Sequence, residues 1–189
     1  MAKRKDREEG LYYEHIITGI KISISKVCDK CPYKIYSTPE ETVAFGIGNI
    51  YSNFIFILPT YNHRAKINGE TSLTLLNKTY NEITGKNMFE EVYTTRLVKC
   101  SKNTDHSLYQ SSIGPCSNFL IYEINKLDGK HVVFFGSAYD DYINNSSMVG
   151  MNIPHKIIHK IYSPDILHYD NSKIKETFIN NLTKILSYD

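Results

Sequence analysis

Gly129-Lys130-His131-Val132-Val133-Phe134-Phe135-Gly136 is the stretch on which the fold turns. Val132–Phe135 is a short run of β-branched and aromatic residues between two glycines, the pattern of a buried strand. Before it, Ser117–Lys126 has helical spacing, with Phe119, Leu120, Ile124 and Leu127 inward; after it, Ala138–Asn144 predicts a short helix. Outward from this unit the alternation repeats. Phe54–Leu58, bounded by Asn53 and Pro59, predicts a strand, and Ser72–Ile83 predicts a helix with Leu73, Leu76, Tyr80 and Ile83 on one face and Gly85 as its cap. Val92–Thr95 and Lys156–Tyr162 predict two further strands. Ser172–Leu186 predicts a closing helix, with Ile174, Phe178, Leu182 and Ile185 on its face. Gly46 and Gly48 are not followed by Gly-Lys-Ser/Thr, so they predict a turn before the first strand and no phosphate loop. Strands alternating with helices imply parallel pairing through right-handed crossovers, hence a layered α/β domain. Ligands in such sheets bind beyond the carboxyl ends of the strands. Those ends are 59–64, 96–101, 136–140 and 163–170.

The chain has 189 residues and a mass of 21.8 kDa, a length that suits one domain. That domain is expected over 11–189, after a flexible basic arm over 1–10 carrying Lys3, Arg4, Lys5 and Arg7. Ile16, Ile17, Ile20, Ile22 and Ile24 fit a helix early and a strand later, so the element type between Leu11 and Lys26 stays open. With 41% hydrophobic and 22% charged residues, the composition excludes disordered, collagen-like and solenoid chains. No apolar run approaches the ~20 residues of a membrane helix, and Met1–Gly10 lacks the apolar core of a signal peptide. A cytoplasmic protein without membrane partners is expected. The net charge of +2 is too small to argue for nucleic acid by itself. Fifteen tyrosines without tryptophan, beside many Asn, Ile and Lys, suggest an AT-rich genome, bacterial or phage.

Four cysteines in a reducing compartment point to metal or catalysis more than to disulfides. Cys28 and Cys31 are separated by two residues, Cys31 and Cys100 by 68, and Cys100 and Cys116 by 15. A zinc ribbon repeats its short bite; this chain does not. Four thiolates with a looped segment of 15 residues between the last two suit a [4Fe–4S] cluster rather than zinc. Such a cluster would pin an N-terminal segment to the loop after the second strand. Its own net charge is negative, so any nucleic-acid surface must come from lysines around it, such as Lys26, Lys30, Lys34, Lys99 and Lys102.

Cys28-x-x-Cys31-Pro32, Phe45-Gly46-Ile47-Gly48-Asn49, Phe54–Leu58, Val92-Tyr93-Thr94-Thr95-Arg96-Leu97-Val98-Lys99-Cys100 and Cys116 follow in an order that resembles the iron–sulfur uracil-DNA glycosylases, family 4 and its relatives. The likeness continues through Phe119-Leu120-x-x-Glu123-Ile124 and the strand ending at Gly136 to Ser163-Pro164-Asp165-Ile166-Leu167. The resemblance implies a three-layer α/β/α fold around a central four-stranded parallel sheet. It also implies a cluster held by Cys28, Cys31, Cys100 and Cys116, and a pocket into which uracil is flipped from DNA.

The family's pocket residues do not carry over. Pro59-Thr60-Tyr61-Asn62 stands where the family has its acidic Gly-Glu-x-Pro-Gly loop, so the carboxylate is missing. Ile67 takes the place of a stacking Phe and has no flat ring. Arg96 takes the place of the base-reading Asn, and a guanidinium has donors only, whereas the uracil edge asks for a donor and an acceptor. Ser163 takes the place of the His that stabilises charge on the departing base. Each such loss typically costs ~10²–10³ in rate, so ordinary uracil excision is not expected. His63 and Asp165 are candidate substitutes as an acid/base pair. Arg64, Arg96, Lys99, Lys102 and His168 are candidate DNA contacts. The expectation is a DNA-binding accessory in replication, repair or transcription, meeting single-stranded or damaged DNA and a replication or transcription protein, in a bacterial nucleoid or a phage-infected cell. A glycosylase of altered base specificity and a protein-interaction subunit without DNA contact are the alternatives.

Overall fold

The computed structural model describes residues 46–59, 71–99, 106–144, 153 and 155–188. Phe54–Leu58 forms β2 with every residue buried, and His131–Phe135 forms β4 in the same way. Two neighbours on each side explain why both read as continuous apolar runs. β2 pairs in parallel with β3 (Tyr93–Arg96) on one side and with β4 on the other, and β4 pairs in parallel with β5 (Ile157–Ile161). The register sets Phe54 opposite His131, Leu58 opposite Arg96, and Phe135 opposite Ile161.

The parallel strands are those the sequence predicts, but the sheet is mixed and has a fifth member. Ile47–Gly48 forms β1, antiparallel to β3, giving the order β1-β3-β2-β4-β5. A two-residue strand is too short to leave an alternating pattern. Gly48 has φ +107°, and a Cβ there would meet the Val92 carbonyl oxygen at 2.1 Å, so the pairing requires glycine.

Helices cover both faces. Ile55, Ile57, Val132 and Phe134 pack with Ile113, Leu120 and Ile124 of α3 (His106–Asn125) and with Ala138 and Tyr142 of α4 (Ala138–Asn144). The alternate residues Phe54, Phe56, Leu58, Val133 and Phe135 pack with Leu76 and Tyr80 of α1 (Ser72–Thr84), Met88 of α2 (Met88–Glu91), and Phe178, Leu182 and Ile185 of α5 (Ser172–Leu186). The chain moves outward from β2 to β3 through α1 and α2 on one face. It then returns across β2 to β4 through α3 on the other, as right-handed crossovers demand when direction reverses. Thr71 caps α1, its hydroxyl accepting the Thr74 N–H, and the Gly85 N–H donates to Asn81 O at 2.7 Å. α3 begins 11 residues before the predicted Ser117 and carries Pro115 inside it. The stretch between Cys100 and Cys116, expected to be looped, is therefore helical from His106 onward. Among the described residues, no helix is long and apolar enough to cross a membrane.

Candidate functional site at the carboxyl edge of the sheet

β2 leads to β3 on one side of the sheet, while β4, beside β2 on its other side, leads away to β5. The topological switch point therefore lies between β2 and β4, and open α/β sheets form their ligand crevice beyond the strand ends at that point. Pro59 and Gly136 stand there, flanked by Arg96 at the end of β3 and by Ser163 just after β5. Past β3, the Leu97 N–H donates to Leu58 O at 2.8 Å and the Val98 N–H to Pro59 O at 3.0 Å, so the two chains stay joined beyond the regular ladder. Gly136 has φ +61°, and a Cβ on it would lie 3.0 Å from the Ser163 Cβ; its N–H donates to Ile161 O at 2.9 Å. The turn after β4 thus packs directly on Ser163.

Ser163 caps the 3-10 turn Pro164–His168, where its hydroxyl oxygen accepts the Asp165 N–H at 3.3 Å. That hydroxyl donates to Asp165 Oδ2 at 2.7 Å, and the hydroxyl of Ser72, the first residue of α1, donates to Asp165 Oδ1. Asp165 therefore ties the segment after β5 to the start of α1, with one serine on each oxygen. The sequence marked Asp165 but not Ser72; a serine beside a helix cap reads as a local backbone device and carries no long-range signal. His168, in the same turn, has a buried Nε2 with no hydrogen-bond partner among the described residues.

A second polar centre lies in the core under β3. Glu123 of α3 is 1% exposed. Its Oε1 accepts the Tyr93 hydroxyl at 2.5 Å and the Gly46 N–H at 3.0 Å. Its Oε2 accepts the Thr95 hydroxyl at 2.8 Å and forms an ion pair with Lys99 Nζ. Lys99 Nζ also lies 2.5 Å from Thr95 Oγ1. Lys99, expected on the nucleic-acid surface, is 2% exposed and spends its ammonium on Glu123. The sequence did hold a sign of this: Glu123 falls on the inward face of its helix beside Leu120 and Ile124, and a carboxylate there needs buried donors.

No known protein-family model matches this chain, and no curated protein matches it. Of the proposed metal ligands, Cys116 is buried on α3 among the residues that pack under β2 and β4. Cys28, Cys31 and Cys100 lie outside the described residues, as do His63, Arg64, Ile67, Lys102, the lysines at 26, 30 and 34, and the basic arm. Among the described residues, no group of three or more His, Cys, Asp or Glu side chains is gathered as a metal site. At the other end of the sheet, His131 Nδ1 and His159 Nε2 lie 2.9 Å apart, and both rings stack with Tyr188 beyond α5 at centroid distances of 5.8 and 5.7 Å. Burial, and secondarily the neighbouring His131, hold the His159 ring below the usual histidine value.

Proposed function

We propose that this chain is an iron–sulfur protein of the uracil-DNA-glycosylase type whose pocket has lost the family's chemistry, and that it serves as a DNA-binding accessory in replication, repair or transcription. One observation carries the reading. At the crevice edge Ser163, which the sequence resemblance aligns with the family's imidazole, has its hydroxyl turned to Asp165 and to capping a turn. A serine so engaged is poorly suited to stabilise charge on a departing base. The doubly wound order of β3, β2, β4 and β5, with helices on both faces, is what such a fold requires and supports the kinship. The finer description, a three-layer glycosylase fold with a four-stranded parallel core, belongs to this proposal.

Cys28, Cys31, Cys100 and Cys116 would hold the cluster. Four soft thiolates suit iron–sulfur chemistry, and the buried setting of Cys116 suits a site shielded from water. When bound, the cluster would act as a structural staple for the N-terminal segment. Arg96, the last residue of β3, is the candidate for a backbone phosphate or an unstacked base, with Arg64, Lys102 and His168 as further contacts.

Excision through Asp165 is the weaker reading, because both of its oxygens already hold serine hydroxyls that tie α1 to the edge. The test combines two assays on the iron-loaded protein. Retention on single-stranded DNA that weakens steeply with salt, without abasic sites in uracil-containing DNA, is the expected result. Abasic sites that disappear in Asp165→Ala would establish a glycosylase instead. Salt-insensitive failure to retain DNA would leave the protein-interaction alternative.

A further inference from the structure

We infer that the outer edge of β5 is a docking surface for a second copy of this chain, the two β5 strands pairing antiparallel about a two-fold axis at His159. Among the described residues the sheet ends at β5 on one side and at the two-residue β1 on the other, which is too short to offer a ladder. The Ile157 N–H donates to Lys130 O at 2.7 Å and Ile161 O accepts the Gly136 N–H, so Ile157, His159 and Ile161 turn their backbone groups toward β4. By alternation those of Ile158 and Lys160 point away from the sheet, where no other strand among the described residues meets them. Proteins commonly guard such an edge with lysines, bulges or Pro. Here both lysines are folded back on their own molecule: Lys156 Nζ donates to Leu127 O at 2.6 Å, and Lys160 Nζ lies 2.6 Å from both Asp140 oxygens. The edge presents apolar side chains instead. Ile157, opposite His131, is 53% exposed on one face of the sheet, and Ile158, opposite Val132, is 40% exposed on the other. Ile143 of α4, also exposed, lies one turn past Tyr139 and Asp140, the residues that meet Lys160, and so stands near the level of Ile158.

Charge decides the occupant. A two-fold contact sets a strand against itself, and a sheet continued across the axis keeps its faces, so odd residues oppose odd and even oppose even. Centred on His159, every residue of β5 finds its partner within β5: Ile157 opposes the partner's Ile161, and Ile158 opposes the partner's Lys160. Just outside the strand, Lys156 opposes the partner's Tyr162. Moving the centre to Ile158 sets Lys156 against the partner's Lys160, and moving it to Lys160 sets that lysine against its own copy; like charges directly opposite are destabilising. The fully overlapped register is therefore also the one in which no two lysines face each other. In it Ile158 lies along the aliphatic stem of the partner's Lys160, and these two outward-facing residues exchange both of their backbone hydrogen bonds. The strand is thus complementary to itself in length, hydrogen bonding and charge. Five residues make a narrow seam, so the dimer belongs at the small end of specific interfaces and depends on protein concentration.

The experiment uses the full chain. Sedimentation over a concentration series should show a species of twice 21.8 kDa at about 0.1 mM that dissociates on dilution. Two substitutions at one exposed position read the register. Ile158→Lys sets like charges against the partner's Lys160 on both sides of the axis and should weaken the dimer at least tenfold, whereas Ile158→Glu sets opposite charges there and should keep it within about threefold of wild type. Circular dichroism checks that each variant is folded. In the wild type alone, the amides of Ile158 and Lys160 should exchange at least tenfold more slowly in the dimer than after dilution, while those of Ile157 and His159, which face β4, keep one rate. A wild type that stays monomeric at about 0.1 mM overturns the inference and leaves the edge to some other chain. A dimer that both substitutions weaken alike, or whose Ile158 and Lys160 amides exchange at one rate throughout, overturns the pairing through β5. Should a variant not fold, the exchange rates of the wild type decide on their own.

Discussion

At Glu123 the core of this protein concentrates its polar risk: one carboxylate, 1% exposed, serves Gly46, Tyr93, Thr95 and Lys99. Glu123→Ala strands the Lys99 ammonium and three neutral donors without water. The expected loss is about 3–5 kcal/mol, read as a lower midpoint in urea unfolding followed by circular dichroism. At Gly136 the cost is conformational. Gly136→Ala must hold φ near +61° with its Cβ against Ser163, and a loss of about 1–2 kcal/mol is expected in the same assay. The residue scale is also where sequence reading failed most. Lys99 read as solvated because lysine usually is, and only the inward position of Glu123 announced that one lysine had to come inside.

Elements were far more legible, since each long one writes its period into the chain. Phe54–Leu58, Ala138–Asn144 and Ser172–Leu186 have the bounds their patterns predict, and the strand ends elsewhere differ by one residue. The first half of α3 was hidden because Gly114-Pro115 reads as a helix stop. In the fold Pro115 is carried within the helix, while the Ser117 hydroxyl donates to Gly114 O at 2.7 Å. At the amino end of β4, the contact of His131 with His159 also links the middle of β5 to Tyr188 after α5. Because the folded state favours the neutral His159 ring, the unfolded chain takes up its proton first as pH falls. The stability that His159 contributes is complete above its ordinary value of about 6.5 and declines as pH falls from there through the lower folded value. Ring-proton NMR should find His159 titrating below that ordinary value, and His159→Phe should flatten this part of the pH–stability profile; a midpoint at or above about 6.5 contradicts the assignment.

On the scale of the whole molecule, the alternation of strands and helices carried the doubly wound arrangement, and with it the location of the crevice. What the alternation could not carry is the joining of that crevice by residues far apart in sequence, such as Ser72 with Asp165. Asp165→Ala tests this joint: the unlinked start of α1 should exchange its amide hydrogens at least tenfold faster in hydrogen-exchange mass spectrometry, while amides of β4 keep their protection. The proposed kinship stands on the four thiols sharing one cluster. Iron and acid-labile sulfide, measured on anaerobically purified protein, test that most directly. Close to four of each per chain is the predicted result; a chain that carries neither, or one zinc in their place, contradicts it.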